Sequence, residues 1–127
     1  MDSLTKKHLA NEFGEYAEEM AAQSYIKRGY TVLERRWRMG KTEIDIIAQK
    51  DSTLVIIEVK ARKTNGEDAL ASVTRDKRRR MIKAADSYIR NLKGLYDYRF
   101  DIVACAGDIS NFEMEILEDA FVAADLF

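Results

Sequence analysis

The sequence predicts a single α/β domain, residues 1–127, in which helices flank a mixed sheet. Three observations support that prediction. Two strongly apolar runs, 44–48 and 54–59, have the length and composition of buried strands. A polar segment of five residues separates them, so the two runs should pair as an antiparallel hairpin. A helix precedes the hairpin, and a second helix leads from it into another apolar strand, a crossover that implies a parallel pair.

The elements follow in the order α-β-β-β-α-β, with a short strand and a tail at the end. Residues 5–28 predict the first helix, because apolar residues recur at helical spacing and Gly29 is a typical C-terminal stop. Residues 30–38 predict a first strand, in which Trp37 stands among arginines. Trp37 is expected in the core or at its rim, and stacking on a nucleic-acid base is the alternative. Later segments predict a loop at 63–68, a second helix at 72–92, strands at 99–106 and 112–117, and a short helix or tail at 120–127.

Composition excludes several classes of protein. The 127 residues can form one hydrophobic core, and no apolar run approaches the ~20 residues of a membrane span. With one cysteine, Cys105, and one histidine, His8, zinc sites built from Cys and His clusters are excluded. Cys105 is expected in the core and His8 on the surface. Since the N-terminus also lacks the apolar stretch of a signal peptide, we expect a cytoplasmic protein with no membrane partner and no haem or nucleotide cofactor.

Charge is distributed unevenly along the chain. Residues 25–83 hold sixteen Lys and Arg against eight Asp and Glu, whereas both ends are acidic and the net charge is −1. A basic middle segment suits a polyanion, although ordinary solvated surface also explains such blocks. The start of the second helix is densely basic and suits phosphate contacts, unless its side chains only cover the sheet with their aliphatic stems. The candidate phosphate-binding residues are Arg62, Arg75, Lys77, Arg78, Arg79 and Arg80.

Three charged side chains, Asp45, Glu58 and Lys60, interrupt the two apolar runs. Charges rarely enter buried strands unless they are paired or bind a metal. If the intervening loop is symmetric, paired positions sum to 103, so Asp45 lies opposite Glu58 and Lys60 projects from the same face as Glu58. A three-residue loop would instead shift the register by one and put the carboxylates on opposite faces.

Two adjacent carboxylates beside a hydrophobic sheet favour a divalent cation between them, and oxygen ligands suit Mg²⁺ or Mn²⁺. Lys60 would then stand beside the metal. A salt-bridged edge hairpin facing water is the alternative. Glu15 and Glu18 share a face of the first helix, and one of them could reach the hairpin as a third carboxylate, with a solvated acidic face as the alternative.

These residues lie in motifs that resemble a known family. The matching stretches are Gly14-Glu15-Tyr16-Ala17-Glu18, Glu43-Ile44-Asp45-Ile46-Ile47-Ala48, Ile57-Glu58-Val59-Lys60-Ala61-Arg62, Ala71-Ser72-Val73-Thr74-Arg75-Asp76-Lys77 and Arg99-Phe100-Asp101-Ile102-Val103. They resemble the YraN-like family of endonuclease-like bacterial proteins, which is similar to archaeal Holliday junction resolvases in the PD-(D/E)xK nuclease superfamily. The resemblance implies a restriction-endonuclease-like αβββαβ core. Ile44 departs from the proline usual in that superfamily motif, and Thr42 replaces the family's glycine.

The resemblance also implies roles for individual residues. Glu18, Asp45, Glu58 and Lys60 would be catalytic, and Asp45, Glu58 and the Val59 carbonyl would bind the metal. Lys77 takes the position of the polar residue on the second helix. The implied function is metal-dependent hydrolysis of phosphodiester bonds in DNA, branched or damaged DNA included, by a homodimer. A non-catalytic nucleic-acid-binding module on the same fold and a protein-interaction domain remain the alternatives.

Overall fold

The structure is a computed structural model that describes residues 2–62 and 65–126. Its elements are α1 (Ser3–Lys27), β1 (Thr31–Met39), β2 (Thr42–Lys50), β3 (Thr53–Ala61), α2 (Gly66–Ser72), α3 (Arg75–Arg90), β4 (Asp97–Gly107) and β5 (Phe112–Phe121), followed by a short 3₁₀ turn, Ala123–Asp125. The predicted α/β class and the predicted element order are confirmed. The helical crossover consists of two helices, α2 and α3, where the sequence predicted one.

The strands form a single mixed sheet in the order β1-β2-β3-β4-β5. Neighbouring strands pair antiparallel, except that β3 and β4 are parallel and are joined by the α2–α3 crossover. The residue numbers of paired positions in the β2–β3 hairpin sum to 103, as predicted, since Ile46 pairs with Ile57 and Lys50 pairs with Thr53. Asp51 takes the left-handed backbone conformation (φ +53°) that closes this tight turn.

Helices cover both faces of the sheet. α1 packs on one face and buries Phe13, Ala17 and Tyr25 against β2, β3 and β4. α3 packs on the other face and buries Met81 and Ala85 there. Because β2 and β3 contribute to both layers, nearly every side chain in their central stretches is buried. Burial on both faces explains why these strands are continuously apolar rather than alternating.

The segment after β3 differs from its prediction. The predicted loop contains the start of α2, because the Asn65 side chain accepts a hydrogen bond from the Asp68 N–H and caps the helix that begins at Gly66. The loop prediction was therefore wrong from Gly66 onward. Its residues Lys63 and Thr64 lie outside the described part of the chain.

The predicted helix at 72–92 was wrong at its start. Val73 is extended (φ −88°, ψ 94°), and the Thr74 hydroxyl accepts a hydrogen bond from the Lys77 N–H at 3.2 Å. Thr74 is therefore the N-cap of α3 and separates it from α2. The break reorients α3, so that its first turn reaches β3.

The C-terminal elements are longer than predicted. β5 continues to Phe121, whose ring stacks on Phe100 of β4 with centroids 4.7 Å apart. The tail then forms the 3₁₀ turn, and Leu126 is buried. Phe127, which the sequence assigned to the same tail, lies outside the described residues.

The placements expected for three isolated residues are confirmed. Cys105 is fully buried in β4, and burial raises the pKa of its thiol to about 11. His8 lies on the exposed start of α1, where its ring is 3.0 Å from Glu12. Trp37 packs edge-on against Tyr88 of α3 at the rim of the core. None of the helices in residues 2–62 and 65–126 has both the length and the apolarity needed to cross a membrane.

Candidate metal centre

Asp45 and Glu58 lie where β2 and β3 begin to separate. The ladder between these strands ends at Ile46 and Ile57, one position before the two carboxylates. Beyond it, the Asp45 side chain fills the gap, and its Oδ2 accepts a hydrogen bond from the Val59 N–H at 2.7 Å. The two carboxyl groups are within hydrogen-bonding reach of one another. The structure therefore confirms the prediction that the side chains of Asp45 and Glu58 lie next to each other.

The pair lies between the two helical layers rather than on one face of the sheet. Asp45 lines a cavity beneath α1, whereas Glu58 contacts Lys77 of α3. The separation of the strands makes this possible, since the Asp45 side chain points along the gap toward the backbone of β3. The site is thus reached by residues from both helices.

The close approach of the two carboxyl groups has an electrostatic consequence. Burial, and then repulsion by Glu58, raise the pKa of Asp45 to about 8, even though the hydrogen bond from the Val59 N–H favours the charged form. Asp45 therefore tends to hold a proton at neutral pH in the absence of a cation. A bound divalent ion would neutralise the pair in place of that proton.

Glu58 has an unsatisfied oxygen. Its side chain is nearly fully buried, and Oε2 accepts no hydrogen bond from any described residue. The Lys77 ammonium lies 3.4 Å from this oxygen, which makes an ion-pair contact without the geometry of a hydrogen bond. A buried carboxylate oxygen without a donor is unfavourable, and metal coordination is one way to satisfy it.

The donor set fits Mg²⁺ or Mn²⁺. Two carboxylates and the Val59 carbonyl are hard oxygen ligands, and Mg²⁺ keeps several waters when it binds through one or two carboxylates. Within the described residues, no three Asp, Glu, His or Cys side chains converge on one point. Side chains therefore supply two ligands at most in this arrangement, and the backbone carbonyl is the natural third.

Glu18 lies near the pair without joining it. It lines an open cavity of about 310 Å³ together with Asp45, and its charge adds to the raised pKa of Asp45. Its own carboxylate pairs instead with Arg36, at 3.0 Å between Oε2 and Nε. Glu15 lines the same cavity. Both carboxylates suggested by the sequence therefore face the site from α1.

A buried network fixes α1 against the sheet and so fixes the position of Glu18. Asp101 of β4 is fully buried and accepts hydrogen bonds from the Tyr25 hydroxyl at 2.6 Å and from Arg99 at 3.0 Å. The Asp119 N–H donates to it as well. Tyr25 lies two helical turns after Glu18, so this anchor holds the helix that carries Glu18. Asp101 belongs to one of the five stretches that resemble the YraN-like family, but its role as a buried hydrogen-bond acceptor was not predicted from the sequence.

Lys60 is half-buried two residues after Glu58. No hydrogen bond or ion pair joins its ammonium to a described residue. Strand alternation places it on the same side of β3 as Glu58. It is therefore available to a water molecule or a phosphate group near the carboxylates.

The basic residues of α3 are used in different ways. Lys77 turns toward Glu58, as described above. Arg78 donates to the carbonyls of Val73 and Leu70, and Arg79 donates to the carbonyl of Leu126, so both guanidinium groups stabilise the fold. Among the α3 residues predicted to bind phosphate, Arg75 and Arg80 have exposed side chains, and these two can contact a phosphate backbone directly.

Arg62 lies away from the carboxylates. Its guanidinium stacks over Phe13 and donates to the Leu9 carbonyl at 3.1 Å. It also lines an open cavity of about 690 Å³, beside Leu9 and Ile109. That cavity is lined mostly by apolar surface and lies nearer the start of α1 than Glu18, so it is separate from the Asp45–Glu58 pair.

Two arginines on β1 belong to the site but were not assigned to it from the sequence. Arg35 forms an ion pair with Glu19, and Arg36 forms one with Glu18. The sequence did contain a signal for these ion pairs: two adjacent acids on α1, Glu18 and Glu19, and two adjacent arginines on the next strand, Arg35 and Arg36. A regular strand would send neighbouring side chains to opposite faces, which is why these adjacent residues did not predict this pairing.

Comparison with protein families gives a match over most of the chain. The model described as "Uncharacterised protein family UPF0102" matches residues 17–105. A UPF0102 protein of Phocaeicola vulgatus is 43% identical over 115 residues, which cover 87% of this chain and 93% of the relative. UPF0102 protein CPE1705 of Clostridium perfringens is 39% identical over 120 residues, which cover 91% of this chain and 98% of the relative. The matched segment contains Asp45, Glu58 and Lys60.

A solved structure gives only a distant likeness. The structure of Pyrococcus furiosus SfsA in complex with Ca²⁺ aligns with 86% of this chain, and the chain spans 62% of that structure. The TM-score is 0.36 and the sequence identity is 10%. A likeness at this level carries no conclusion about the chain.

Proposed function

The chain belongs to the UPF0102, or YraN-like, family, and we propose that it is a metal-dependent nuclease that hydrolyses phosphodiester bonds in DNA. The observation that carries the proposal is the pair formed by Asp45 and Glu58. One of its buried oxygens lacks a donor, and the other carboxyl has a pKa raised to about 8. Such a pair is arranged to exchange a proton for a cation. The αβββαβ order and the resemblance to Holliday junction resolvases support DNA, branched or damaged DNA included, as the substrate.

The proposed chemistry assigns a part to each residue. Asp45, Glu58 and the Val59 carbonyl hold Mg²⁺ or Mn²⁺. When bound, that ion supplies Lewis acidity and makes water a better nucleophile for in-line attack on phosphorus. Lys60 orients this water and offsets negative charge that develops on the phosphate. Glu18 assists from α1, directly or through water.

Positive charge around the pair supports a phosphate substrate. The Lys77 ammonium lies at the Glu58 carboxylate, and it offsets the charge that Glu58 presents to an approaching DNA backbone. The exposed Arg75 and Arg80 then contact flanking phosphates, which contributes affinity without sequence readout. A homodimer belongs to the same proposal and rests on the family resemblance, and a cytoplasmic location rests on the composition of the chain.

The test is cleavage of labelled branched DNA, a four-way junction and a flap, by purified protein in Mn²⁺. Wild type should nick at least one of these substrates, and Asp45→Asn or Lys60→Ala should abolish nicking. Asp51→Asn, in the exposed turn of the same hairpin, is the matched control and should nick like wild type. Equal cleavage by wild type and Asp45→Asn contradicts the proposal.

A non-catalytic module is the alternative outcome. In that case the wild type binds the same DNA with a steep salt dependence, needs no divalent ion for binding, and cuts nothing. Titration of Mn²⁺ into wild type and Glu58→Gln separates the two functions. Binding that is lost in Glu58→Gln favours the nuclease, and absence of specific binding favours the module.

A further inference from the structure

Arg36 has an unusual backbone conformation for a strand residue. Its φ is +51°, in the left-handed region, although it lies within β1 and is not glycine. Residues held in this region cluster at functional sites, where surrounding contacts keep them there. Here the conformation lets two adjacent side chains, Arg35 and Arg36, both reach α1, where they meet Glu19 and Glu18.

The contact between Arg36 and Glu18 determines what Glu18 can do. Glu18 is 27% exposed and Arg36 is 52% exposed, and both line the cavity that contains Asp45. While Glu18 pairs with Arg36, it does not complete a three-carboxylate cluster with Asp45 and Glu58. Because α1 is anchored through Tyr25, any approach of Glu18 to Asp45 would come from rotation of its side chain rather than from movement of the helix.

We propose that Arg36 is an exchangeable partner of Glu18, and that a phosphate group of the nucleic-acid backbone displaces Glu18 from it. In the free protein Arg36 holds Glu18 apart from the Asp45–Glu58 pair. When a phosphate enters the cavity, the guanidinium binds it with two parallel hydrogen bonds, as arginine does with phosphates in general. Glu18 then turns toward Asp45. This inference rests on the proposed function, and it makes Arg36 a positioning residue that completes the metal site only when substrate is present.

A neighbouring arginine provides a matched control. Arg38 lies two residues further along β1 and pairs with Glu43 of β2 at 2.7 Å. It is more exposed than Arg36 and does not line the cavity. Removing either arginine changes the net charge equally, so Arg38→Asn controls for net charge, and the variant that also removes Glu18 isolates the contact between Arg36 and Glu18.

The test is calorimetric titration of Mn²⁺ without DNA into wild type, Glu18→Gln, Arg36→Asn and the double variant. Asparagine is chosen because it tolerates the left-handed conformation. Arg36→Asn should bind Mn²⁺ about tenfold more tightly than wild type, the scale typical of groups that position metal ligands. The double variant should bind Mn²⁺ no more tightly than Glu18→Gln alone, because the gain depends on the Glu18 carboxylate. Arg38→Asn should bind like wild type.

A second measurement follows DNA binding in EDTA by fluorescence anisotropy of a labelled four-way junction. Arg36→Asn should bind several-fold more weakly than Arg38→Asn, since only Arg36 lies in the cavity. Arg36→Lys keeps the charge but loses the two-pronged contact, and its affinity should fall between wild type and Arg36→Asn. This conservative variant also provides a reading if Arg36→Asn does not fold.

The two proposals fail in different ways. If wild type binds Mn²⁺ through Glu58 but Arg36→Asn shows no gain, or keeps its gain in the double variant, the exchange is refuted and the metal site stands. Equal DNA affinities for Arg36→Asn and Arg38→Asn likewise refute it. If wild type and Glu58→Gln bind Mn²⁺ equally, the metal site fails and the exchange fails with it.

Discussion

Replacing Asp45 by asparagine should remove a specific pH dependence of stability from the metal-free protein. The ordinary pKa of an aspartate is 3.8, and Asp45 in the folded chain has a pKa of about 8. Between these values the unfolded chain has released the proton and the folded chain keeps it. Rising pH therefore favours unfolding, by about 1.4 kcal/mol per pH unit. From pH 5 to pH 7 the wild type should lose about 3 kcal/mol of unfolding free energy through this one group.

Asparagine is a close match for the protonated form of Asp45. Its side-chain oxygen can still accept the Val59 N–H, and its amide can donate toward Glu58, but it has no proton to release. The variant should therefore show a pH dependence that is flatter by the same ~3 kcal/mol over this range. At pH 7 it should be more stable than wild type, because the wild type must take up a proton at Asp45 when it folds and asparagine need not.

Urea unfolding at pH 5, 6 and 7 in EDTA measures this difference, provided that the m-values agree. Asp51→Asn, in the exposed turn of the same hairpin, is the control and should follow wild type. Mn²⁺ at pH 7 should stabilise wild type and not Asp45→Asn. Parallel pH profiles for wild type and Asp45→Asn would show that Asp45 is not held in its protonated form, and would refute the reasoning.

Two further predictions concern the core. Tyr25→Phe removes the hydroxyl that donates to the buried Asp101 and should lower the unfolding free energy by about 1–3 kcal/mol, measured by urea unfolding. Tyr98→Phe, at a partly exposed tyrosine of the same strand as Asp101, is the control, and equal effects of the two changes would contradict this role. Cys105 should react with a thiol reagent at pH 7 only after the chain unfolds, because burial raises the pKa of its thiol to about 11. Rapid labelling of the native protein would contradict the fold around β4.

The hairpin and its carboxylate pair could be predicted from the sequence because both depend on local rules. A symmetric polar loop fixed the register, and the register brought Asp45 beside Glu58. The crossover followed from the order of strand, helix and strand. The hairpin and the crossover both depend on interactions between residues that are close in the sequence or that lie on neighbouring strands of the sheet.

Other features depend on contacts between distant segments and could not be predicted in the same way. Lys77 was predicted as a phosphate ligand because it stands in a basic run, and its contact with Glu58 depends on the break at Thr74, which the sequence did not predict. Arg36 meets Glu18 only because its backbone leaves the regular strand conformation. The sequence does not predict this departure, because neither neighbour of Arg36 is a glycine or a proline. Asp101 looked like one more polar residue, and its burial follows from the positions of α1 and β5 together.

The central claim is that Asp45 and Glu58 bind a divalent metal ion, and a crystal structure of the wild type grown in Mn²⁺ tests it most directly. The account predicts an anomalous peak between the two carboxylates, with the Val59 carbonyl as a further ligand. Glu58 Oε2 should then be satisfied by the ion. A site without a peak at saturating Mn²⁺, in which Asp45 still accepts the Val59 N–H and Lys77 still pairs with Glu58, would contradict the account.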